Sequence, residues 1–372
     1  MRVALLTVLL LLPGCDAGLN LSAPTAHGGR PPGIRVLLRA ASAREVVRIT
    51  VPGVWAIIEE GTGRELSSGA GFDRRMNTAS GKLPAGHRLV PKDGRLTVGD
   101  RTYRGELILL PRDEGIDLVL ATDLEEYVPG VLAGEMGSAF PPAALRAQAV
   151  ASRTYASHQM KTGERGRAWH LADDTSSQVF KGLQTNKTLL GAGRETAGLI
   201  LTWAGDPLPA HFHSTCGGHT TDRRLVFGGP LLPPLTGVSC RWCTESRLYR
   251  WQADIPMDET VRKLGLPGIP TDVSVVATDP SGRAIGVRFL AGEQSVELPG
   301  HEVRKRLGWN RLRSTLILTI EIADGELRIS GGGWGHAVGM CQMGAAGMAR
   351  AGAGASDILA HYYPGAVIVR RY

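Results

Sequence analysis

Four cysteine and histidine side chains fall into two short pairs near the middle of the chain. Cys216 and His219 form a Cys-x-x-His pair, and Cys240 and Cys243 form a Cys-x-x-Cys pair. Tight turns of this kind present two soft or borderline ligands to one point, and two such pairs supply the four ligands of a closed tetrahedral zinc site. The spacing therefore predicts a structural zinc ion that would fix the loop 215–243.

Oxidation is the alternative chemistry for these thiols. In an exported protein, which meets disulfide-forming conditions, Cys216, Cys240, Cys243 and Cys341 can pair in three ways, and free thiols are a third state. A zinc amidase is a weaker interpretation. A catalytic zinc ion needs an open coordination position, and this cysteine-rich set looks closed.

Glu135 is the carboxylate best placed for acid/base work. It follows the apolar run Tyr127 to Leu132 and precedes the segment Ala143 to Met160, which consists almost wholly of good to moderate helix formers. Pro142 stands where the first helical turn tolerates a missing donor. We therefore expect a helix over 143–160, with Glu135 in the small-residue connection before it, where a carboxylate can face a cleft. A solvated loop acid is the alternative.

The glycine-rich run Gly331 to His336 favours sugar recognition over phosphate binding. No Lys-Ser or Lys-Thr pair follows it, and its glycine spacing does not fit the dinucleotide fingerprint. Glycines let a glycan approach the backbone, Trp334 offers an apolar face to a pyranose ring, and His336 and Gln342 supply hydrogen bonds. The alternative is that Trp334 and His336 are packed and satisfied within the core.

Short strand-like runs dominate the rest of the chain. Aromatic residues make up only 5%, whereas Gly (49) and Pro (22) are plentiful, so we expect many turns and short strands rather than a helical bundle. The runs begin at Ile34 and continue to Tyr127. The sequence predicts an α+β fold, with a mixed, strand-rich body and a central helix after the carboxylate.

The segments after the central helix extend this pattern. Gln178–Gly182, Leu199–Trp203 and Ala210–His213 are predicted as strands, and Asn186–Gly198 as a second helix. Alternation along a strand would place His211 and His213 on one face.

The region of about 251–330 carries no chemical signal. Strand runs are interrupted there by Met257 to Leu264 and by a predicted helix around His301 to Leu307, and polar residues are scattered rather than clustered. We interpret it as a β-rich supporting subdomain.

The N-terminus predicts export. Arg2 and the apolar run Val3 to Leu12 are typical of a signal peptide, here 1–14, and the run is too short to span a bilayer. Leu12-Pro13-Gly14-Cys15 resembles a lipoprotein processing site, so Cys15 would carry lipid and anchor the protein to a membrane facing the periplasm or cell wall. An ordinary secretory signal is the alternative. Gly, Pro, Ala and Ser make 15–33 a tether, which leaves 34–372 as the folded domain.

The net charge of +7 would suit a polyanion, either nucleic acid or a carboxylate-bearing wall polymer. Because the chain carries an export signal, we expect the wall polymer and no nucleic acid.

The residues around Glu135 resemble the motif of the stage II sporulation protein D family. Its signature, Tyr-x-x-Gly-Val-x-x-x-Glu-Met followed by a helix containing Ala-Leu-(Lys/Arg)-Ala-Gln-Ala-Val-Ala-x-Arg-Thr-Tyr, is matched from Tyr127 to Tyr155. Three further blocks resemble the family in order: SSQVFKG at 176–182, HFHSTCGGHT at 211–220, and GGWGHAVGMCQMGAAGMA with HYYPG between 332 and 365.

The resemblance implies a lytic transglycosylase of peptidoglycan, or a non-catalytic partner that holds glycan strands and stimulates a cell-wall amidase. In the first case Glu135 would protonate the glycosidic oxygen. Its carboxylate would then help the muramic 6-hydroxyl attack C1, which closes a 1,6-anhydro ring without water. This chemistry needs no cofactor, but it needs a carboxyl whose pKa is raised by partial desolvation.

The matching blocks also imply which residues orient the glycan: Gln148, Arg153, Gln178, His213, Ser214, Trp334, His336 and Gln342. For Arg153, a buried ion pair is an equal alternative. Some family members carry zinc near Cys216, but many have Ser there, so the metal is not needed for the chemistry throughout the family. Cys341 stands where the family usually has Ser, and Met343 where an aromatic residue is common.

Overall fold

The computed structural model describes residues 30–81, 86–164 and 166–372. The predicted signal peptide, the lipidation site Cys15 and most of the predicted tether lie outside these residues. Among the described residues, no helix is both long enough and apolar enough to cross a membrane.

The described residues contain nine α-helices and twenty strands. The helices are α1 (Arg39–Ser42), α2 (Leu124–Glu135), α3 (Pro142–Thr162), α4 (Lys187–Glu195), α5 (Arg223–Phe227), α6 (Met257–Leu264), α7 (Gly300–Leu307), α8 (Gln342–Arg350) and α9 (Ala355–Tyr362). The strands are β1 (Gly33–Leu37), β2 (Val46–Glu59), β3 (Glu65–Asn77), β4 (His87–Pro91), β5 (Arg95–Val98), β6 (Arg101–Arg104), β7 (Glu106–Arg112), β8 (Gly115–Asp123), β9 (Leu171–Ala172), β10 (Leu199–Trp203), β11 (Asp206–Pro207), β12 (Phe212–His213), β13 (Trp251–Pro256), β14 (Asp272–Thr278), β15 (Ala284–Ala291), β16 (Gln294–Pro299), β17 (Ile317–Ala323), β18 (Glu326–Gly331), β19 (Met340–Cys341) and β20 (Val367–Arg370).

A nine-stranded sheet, curled into a half barrel, forms the N-terminal part of the fold. Its order is β6-β5-β2-β4-β7-β8-β1-β9, and β3 pairs with β2. The strand pairs are antiparallel except for β1 with β9. Alternating residues of β1 and β8, such as Ile34, Val36, Leu118 and Leu120, are fully buried in the core that covers α2. The predicted α+β, strand-rich fold is confirmed.

Residues 127–132 are helical, although their β-branched and glycine content suggested an apolar run followed by a loop. Five residues of α2 are fully buried at helical spacing: Leu124, Tyr127, Val128, Val131 and Leu132. This i, i+3, i+4 pattern is one apolar helix face, and its burial outweighs the unfavourable propensity of the inner Pro129 and Gly130. The prediction that Glu135 lies in a connection is therefore wrong, because Glu135 is the last residue of α2.

The predicted central helix is confirmed as α3. It has two apolar faces. Leu145 and Ala149 pack into the sheet core, whereas Ala147 and Val150 pack into a second core with β10, α8 and α9. A helix that is apolar nearly all round belongs inside the protein, so α3 joins the two halves of the fold.

Two strand predictions differ from the structure. Gln178–Gly182 is irregular, because its backbone bonds to α2 and to nearby loops: Lys181 N–H donates to Gly130 O at 3.0 Å. The predicted strand 210–213 shrinks to β12, a two-residue strand that pairs in parallel with β19. The predicted helix 186–198 appears as α4, capped by Asn186.

Residues 251–331, the region predicted as a supporting subdomain, contain two three-stranded sheets, β13-β18-β17 and β14-β15-β16. Helices α6 and α7 cover them around buried Ile255, Val287 and Phe289. The unit contacts the glycine-rich run through the Trp251 indole, whose N–H donates to Gly333 O at 2.8 Å.

The close contact between α2 and residues 178–182 predicts a position-specific effect of one methyl group. A Cβ on Gly134 would overlap the backbone of Val179, 2.7 Å from its carbonyl carbon, whereas a Cβ on Gly191 in α4 would meet only Glu195 Oε1 at 3.7 Å. We expect Gly134→Ala to lower the free energy of unfolding by about 1–3 kcal/mol through overpacking. Gly191→Ala should raise it by up to about 1 kcal/mol, the helix-propensity difference. Urea denaturation would measure both, and equal effects would contradict the proposed contact.

Candidate functional site

The carboxyl group of Glu135 is held by a backbone dipole at the end of α2. Val179 N–H donates to Glu135 Oε1 at 2.7 Å. Among the described residues no cation forms an ion pair with this carboxyl. Burial raises the pKa of Glu135, while the hydrogen bonds from Val179 and from the Gln342 side chain act in the opposite direction. The result is a carboxyl that keeps its proton to a higher pH than a solvated glutamate.

A buried polar network lies behind Glu135. Tyr127 O–H donates to Gln178 Oε1 at 3.1 Å, and Gln178 Nε2 donates to Ser152 O at 3.4 Å. The Ser152 side chain joins the same network, because Gln148 Nε2 donates to the Ser152 hydroxyl at 3.0 Å. Gln342 Nε2 lies 3.5 Å from Gln148 Oε1, which links the network to the residue that hydrogen-bonds Glu135.

Two predicted glycan contacts are corrected by this network. Gln148 and Gln178 have no exposed surface, and Gln342 is only 5% exposed. Gln148 and Gln178 therefore do not offer a surface to a glycan strand. The amide of Gln148 bonds instead to Ser152 and Gln342, and that of Gln178 to Tyr127 and Ser152. Sequence reasoning placed these amides correctly near Glu135 but missed Tyr127 and Ser152, whose buried hydroxyl groups leave no periodic signal.

Arg153 is a structural residue, not a glycan contact. Its guanidinium is fully buried and binds Glu125 through two hydrogen bonds of 2.7 Å. Its remaining donors reach backbone carbonyls, including Leu199 O at 3.2 Å. Although burial by itself would raise the pKa of Glu125, the guanidinium lowers it below the usual range. The alternative reading of Arg153 as an ion-pair partner is the correct one.

Three imidazoles and one phenyl ring form a cluster near the glycine-rich run. The His336 ring lies 5.5 Å from His213 and 5.8 Å from His211, between centroids. Phe227 stacks on His211 at 4.4 Å and is 45% exposed. Burial lowers the pKa of all three histidines, that of His336 to about 4, so the rings are neutral at neutral pH. Phe227 had no motif in the sequence to mark it.

One backbone unit sets the tautomers of two of these rings. Val338 N–H donates to His336 Nδ1 at 3.0 Å, and Val338 O lies 3.2 Å from His213 Nδ1, which therefore carries the proton. His213 Nε2 and His211 Nε2 are buried and have no hydrogen-bond partner among the described residues. They are free to accept from water or from a ligand hydroxyl.

Trp334 and Ser214 lie at the surface side of this cluster. Trp334 is 37% exposed, and its backbone forms two hydrogen bonds with Thr215, of 2.7 and 3.1 Å. The parallel pairing of β12 with β19 places Ser214 beside the start of α8, where its carbonyl accepts Met343 N–H at 3.0 Å. The indole is thus exposed on a fixed backbone, as a sugar-stacking ring requires.

Four cysteines, Cys216, Cys240, Cys243 and Cys341, form a buried cluster whose sulfur atoms all lie within 4.8 Å of one another. The predicted ligand set is therefore corrected: Cys341 takes the place assigned to His219. The His219 ring turns away and its Nδ1 lies 2.5 Å from Thr220 O. Cys341 is brought in by the β12–β19 pair, and because it lies 125 residues from Cys216 in the sequence, it leaves no local spacing to recognise.

The donor set fits a tetrahedral metal ion with sulfur ligands, such as zinc. The four cysteines are free, not disulfide-bonded. Two backbone groups donate to Cys341 Sγ, Cys216 N–H at 3.2 Å and Gly344 N–H at 3.3 Å, and Tyr362 O–H lies 3.1 Å from Cys240 Sγ. Such donors stabilise thiolates around a bound ion.

The structure thus brings motif blocks from distant parts of the chain to the desolvated Glu135 carboxyl, within a strand-rich α+β fold. A family model described as Stage II sporulation protein matches residues 112–203, and a model described as a domain of unknown function matches residues 241–339.

Curated relatives place the chain more closely. A stage II sporulation protein D from Bacillus amyloliquefaciens is 34% identical over 266 residues, covering 65% of this chain and 73% of that protein. The one from Bacillus subtilis is 32% identical over 66% of this chain and 74% of its own length. The chain belongs to the stage II sporulation protein D family. It is also 26% identical to an amidase enhancer from Bacillus subtilis, over 64% of this chain and 40% of that protein.

The raised pKa of Glu135 makes stability depend on pH in a defined direction. Between the unfolded pKa, about 4.3, and the raised folded pKa, the folded state binds one more proton, so wild-type stability falls as pH rises. The amide side chain of the Glu135→Gln variant does not titrate in this pH range. We expect the variant to gain stability relative to wild type across this window and to keep a constant advantage above it. Denaturation at a series of pH values measures this, and a constant difference from pH 4 upwards would contradict it.

Proposed function

We propose that this protein is a lytic transglycosylase that cleaves the glycan strands of peptidoglycan, in peptide-poor or denuded regions, to 1,6-anhydro-N-acetylmuramic acid ends. The observation that carries the proposal is the Glu135 carboxyl, which is desolvated, has a raised pKa and has no cationic partner among the described residues. Such a group holds a proton for the leaving oxygen and recovers it later.

Each step can be assigned to residues of this chain. Protonated Glu135 gives its proton to the glycosidic oxygen as the bond to C1 breaks. Its carboxylate then takes the proton of the muramic 6-hydroxyl as that oxygen bonds to C1. The Val179 N–H and the Gln342 amide would stabilise the carboxylate between the two steps, and the burial of Glu135 would favour ring closure over attack by water.

Glycan binding would fall to the exposed part of the site. The Trp334 indole would stack on a pyranose ring, and Ser214, together with the unpartnered Nε2 atoms of His211 and His213 beside His336, would accept hydrogen bonds from sugar hydroxyl groups. The net positive charge of the chain would attract the anionic wall.

The second candidate is a non-catalytic, wall-binding enhancer of a cell-wall amidase. The relative named as an amidase enhancer favours it, since the match includes 64% of this chain. In that case the same cleft would hold glycan without cleaving it.

We further propose that the cysteine cluster binds one structural zinc ion, while the chemistry at Glu135 needs no cofactor. The ion would tie Cys216, beside Ser214, to Cys341, beside Gln342, and so hold the two site blocks together. We also propose that the protein is exported and held at a membrane by lipid on Cys15, on the pattern of its first fifteen residues.

Cleavage of denuded glycan strands by wild type, Glu135→Gln and Glu126→Gln tests the activity. Loss of the acid should reduce release of anhydro-sugar by about 100 to 10,000-fold. Glu126 is the matched control, because it lies on the same helix and pairs with Arg104 at 3.5 Å, so its variant should stay active. Co-sedimentation should show that all three proteins bind the strands. Full activity of Glu135→Gln would remove Glu135 from the mechanism, and an inactive wild type that still binds would favour the enhancer.

Metal content tests the corrected ligand set. Reduced, purified wild type should hold about one zinc per chain. Cys341→Ser should lose most of it, whereas His219→Ala should retain it, because the His219 ring points away from the sulfur atoms. Retention in Cys341→Ser together with loss in His219→Ala would restore the ligand set predicted from spacing.

A further inference from the structure

The buried cysteine cluster raises a problem of charge. Four thiolates around a divalent ion leave a net charge of minus two, by simple count, in a place where every ligand side chain is fully buried. Burying uncompensated charge is costly, and backbone donors such as Gly344 N–H offset only part of it. A nearby cation would offset the remaining charge of such a cluster.

Arg283 supplies a cation at this place. Its side chain is only 3% exposed, and its guanidinium donates to Cys216 O and, at 3.0 Å, to His219 O. Both acceptors belong to the loop that carries the first ligand. The arginine itself comes from the turn between β14 and β15, in the unit 251–331.

The same turn holds the loop at a second point. Thr221 O–H donates to Asp279 Oδ2, and Asp279 Oδ1 accepts Arg283 N–H at 2.9 Å. Asp279 thus braces the turn and binds the far end of the loop 216–221. We call these contacts, of Arg283 with Cys216 O and His219 O and of Asp279 with Thr221, the polar clamp. Both residues that form it belong to the turn between β14 and β15.

The guanidinium of Arg283 is itself an expensive group to bury, and no carboxylate forms an ion pair with it among the described residues. Its Nε–H also has no partner. Burial lowers the pKa of Arg283, and the charges of Cys216, Asp279, Cys341 and Cys243 act against that shift. An unpaired buried cation and an anionic metal cluster are complementary.

We propose that Arg283 is the counter-cation of the metal-loaded cysteine cluster, so that the unit 251–331 completes a metal site whose ligands all lie outside it. The unit 251–331 lies within the residues 241–339 that the model of a domain of unknown function matches, and that match also includes the ligand Cys243. The inference rests on the proposed zinc site and not on the proposed cleavage activity.

Metal binding and docking of the unit should then reinforce each other. Zinc binding would release the four thiol protons to solvent, so the loaded cluster would carry the negative charge that complements Arg283 and would strengthen the clamp. The clamp would in turn raise zinc affinity by the same free energy.

The test compares Arg283→Met, Arg283→Lys and Arg288→Met, with zinc alone as the ligand. Arg288 is the matched control, since it lies on β15, five residues after Arg283, and is exposed. Its replacement by Met removes the same charge. Zinc affinity is measured by competition with a chromogenic chelator, and melting temperature is measured for each protein with and without zinc. Cobalt spectra check that four thiolates still bind the ion.

We expect Arg283→Met to weaken zinc binding by about 10 to 100-fold, the usual effect of losing an outer-shell partner. Arg283→Lys, which keeps the charge but not the fork, should fall between Met and wild type, and Arg288→Met should match wild type. The zinc-induced rise in melting temperature should shrink in Arg283→Met. A purely structural arginine would lower both melting temperatures equally and leave that rise unchanged.

The outcomes separate the two proposals. Wild type that binds no zinc overturns the metal site and, with it, the counter-cation. Wild type that binds zinc, with equal affinity in Arg283→Met, overturns the counter-cation alone. If Arg283→Met does not fold, Arg283→Gln, which also removes the charge, takes its place, and zinc affinity equal to that of wild type in that folded protein overturns the counter-cation. The cleavage assay is independent of all of these results.

Discussion

The hydrogen bond from Val179 N–H to the Glu135 carboxyl is the interaction on which the candidate site depends. The buried carboxyl is hydrogen-bonded by a backbone N–H group and is not paired with a cation. A cation would lower the pKa and favour loss of the proton, whereas the N–H group gives the carboxyl a partner without forming an ion pair. The bond requires the segment 178–182 to touch α2 directly. Gly134 and Gly130 allow this contact, because a side chain at either position would overlap that segment.

The second requirement is that distant blocks meet at this carboxyl. The short parallel pair β12–β19 brings His213 beside Cys341, and the cysteine cluster closes the same junction from behind. Helix α3 connects the two cores, because one of its apolar faces packs into the sheet core and the other packs into the second core. The buried Arg153–Glu125 pair fixes α3 against α2. Each of these elements therefore stabilises the fold and also positions Glu135 or Gln342.

The parts of this arrangement that could be predicted have local signals. The composition of α3 and the motif around Glu135 are contiguous, so the helix, the acid and the mixed fold were predictable. The helical state of α2 was hidden by β-branched residues, although its buried residues follow helical spacing. Long-range contacts left no signal: Cys341 joins the cluster from 125 residues away, and the burial of Gln148, Gln178 and Arg153 depends on the packing of several elements. Motif membership indicated where these residues lie but not whether they face substrate.

The parallel pair β12–β19 also orders the assembly of the molecule in time. All strands of the nine-stranded sheet lie between Gly33 and Ala172, whereas this pair needs Met340 and Cys341, and pairing between segments so far apart in sequence is slow. A chain still being synthesised could complete the sheet and place Glu135, yet it would lack Gln342 and the glycine-rich run. The order of the sequence thus delays completion of the candidate site until the residues beyond 340 have been made.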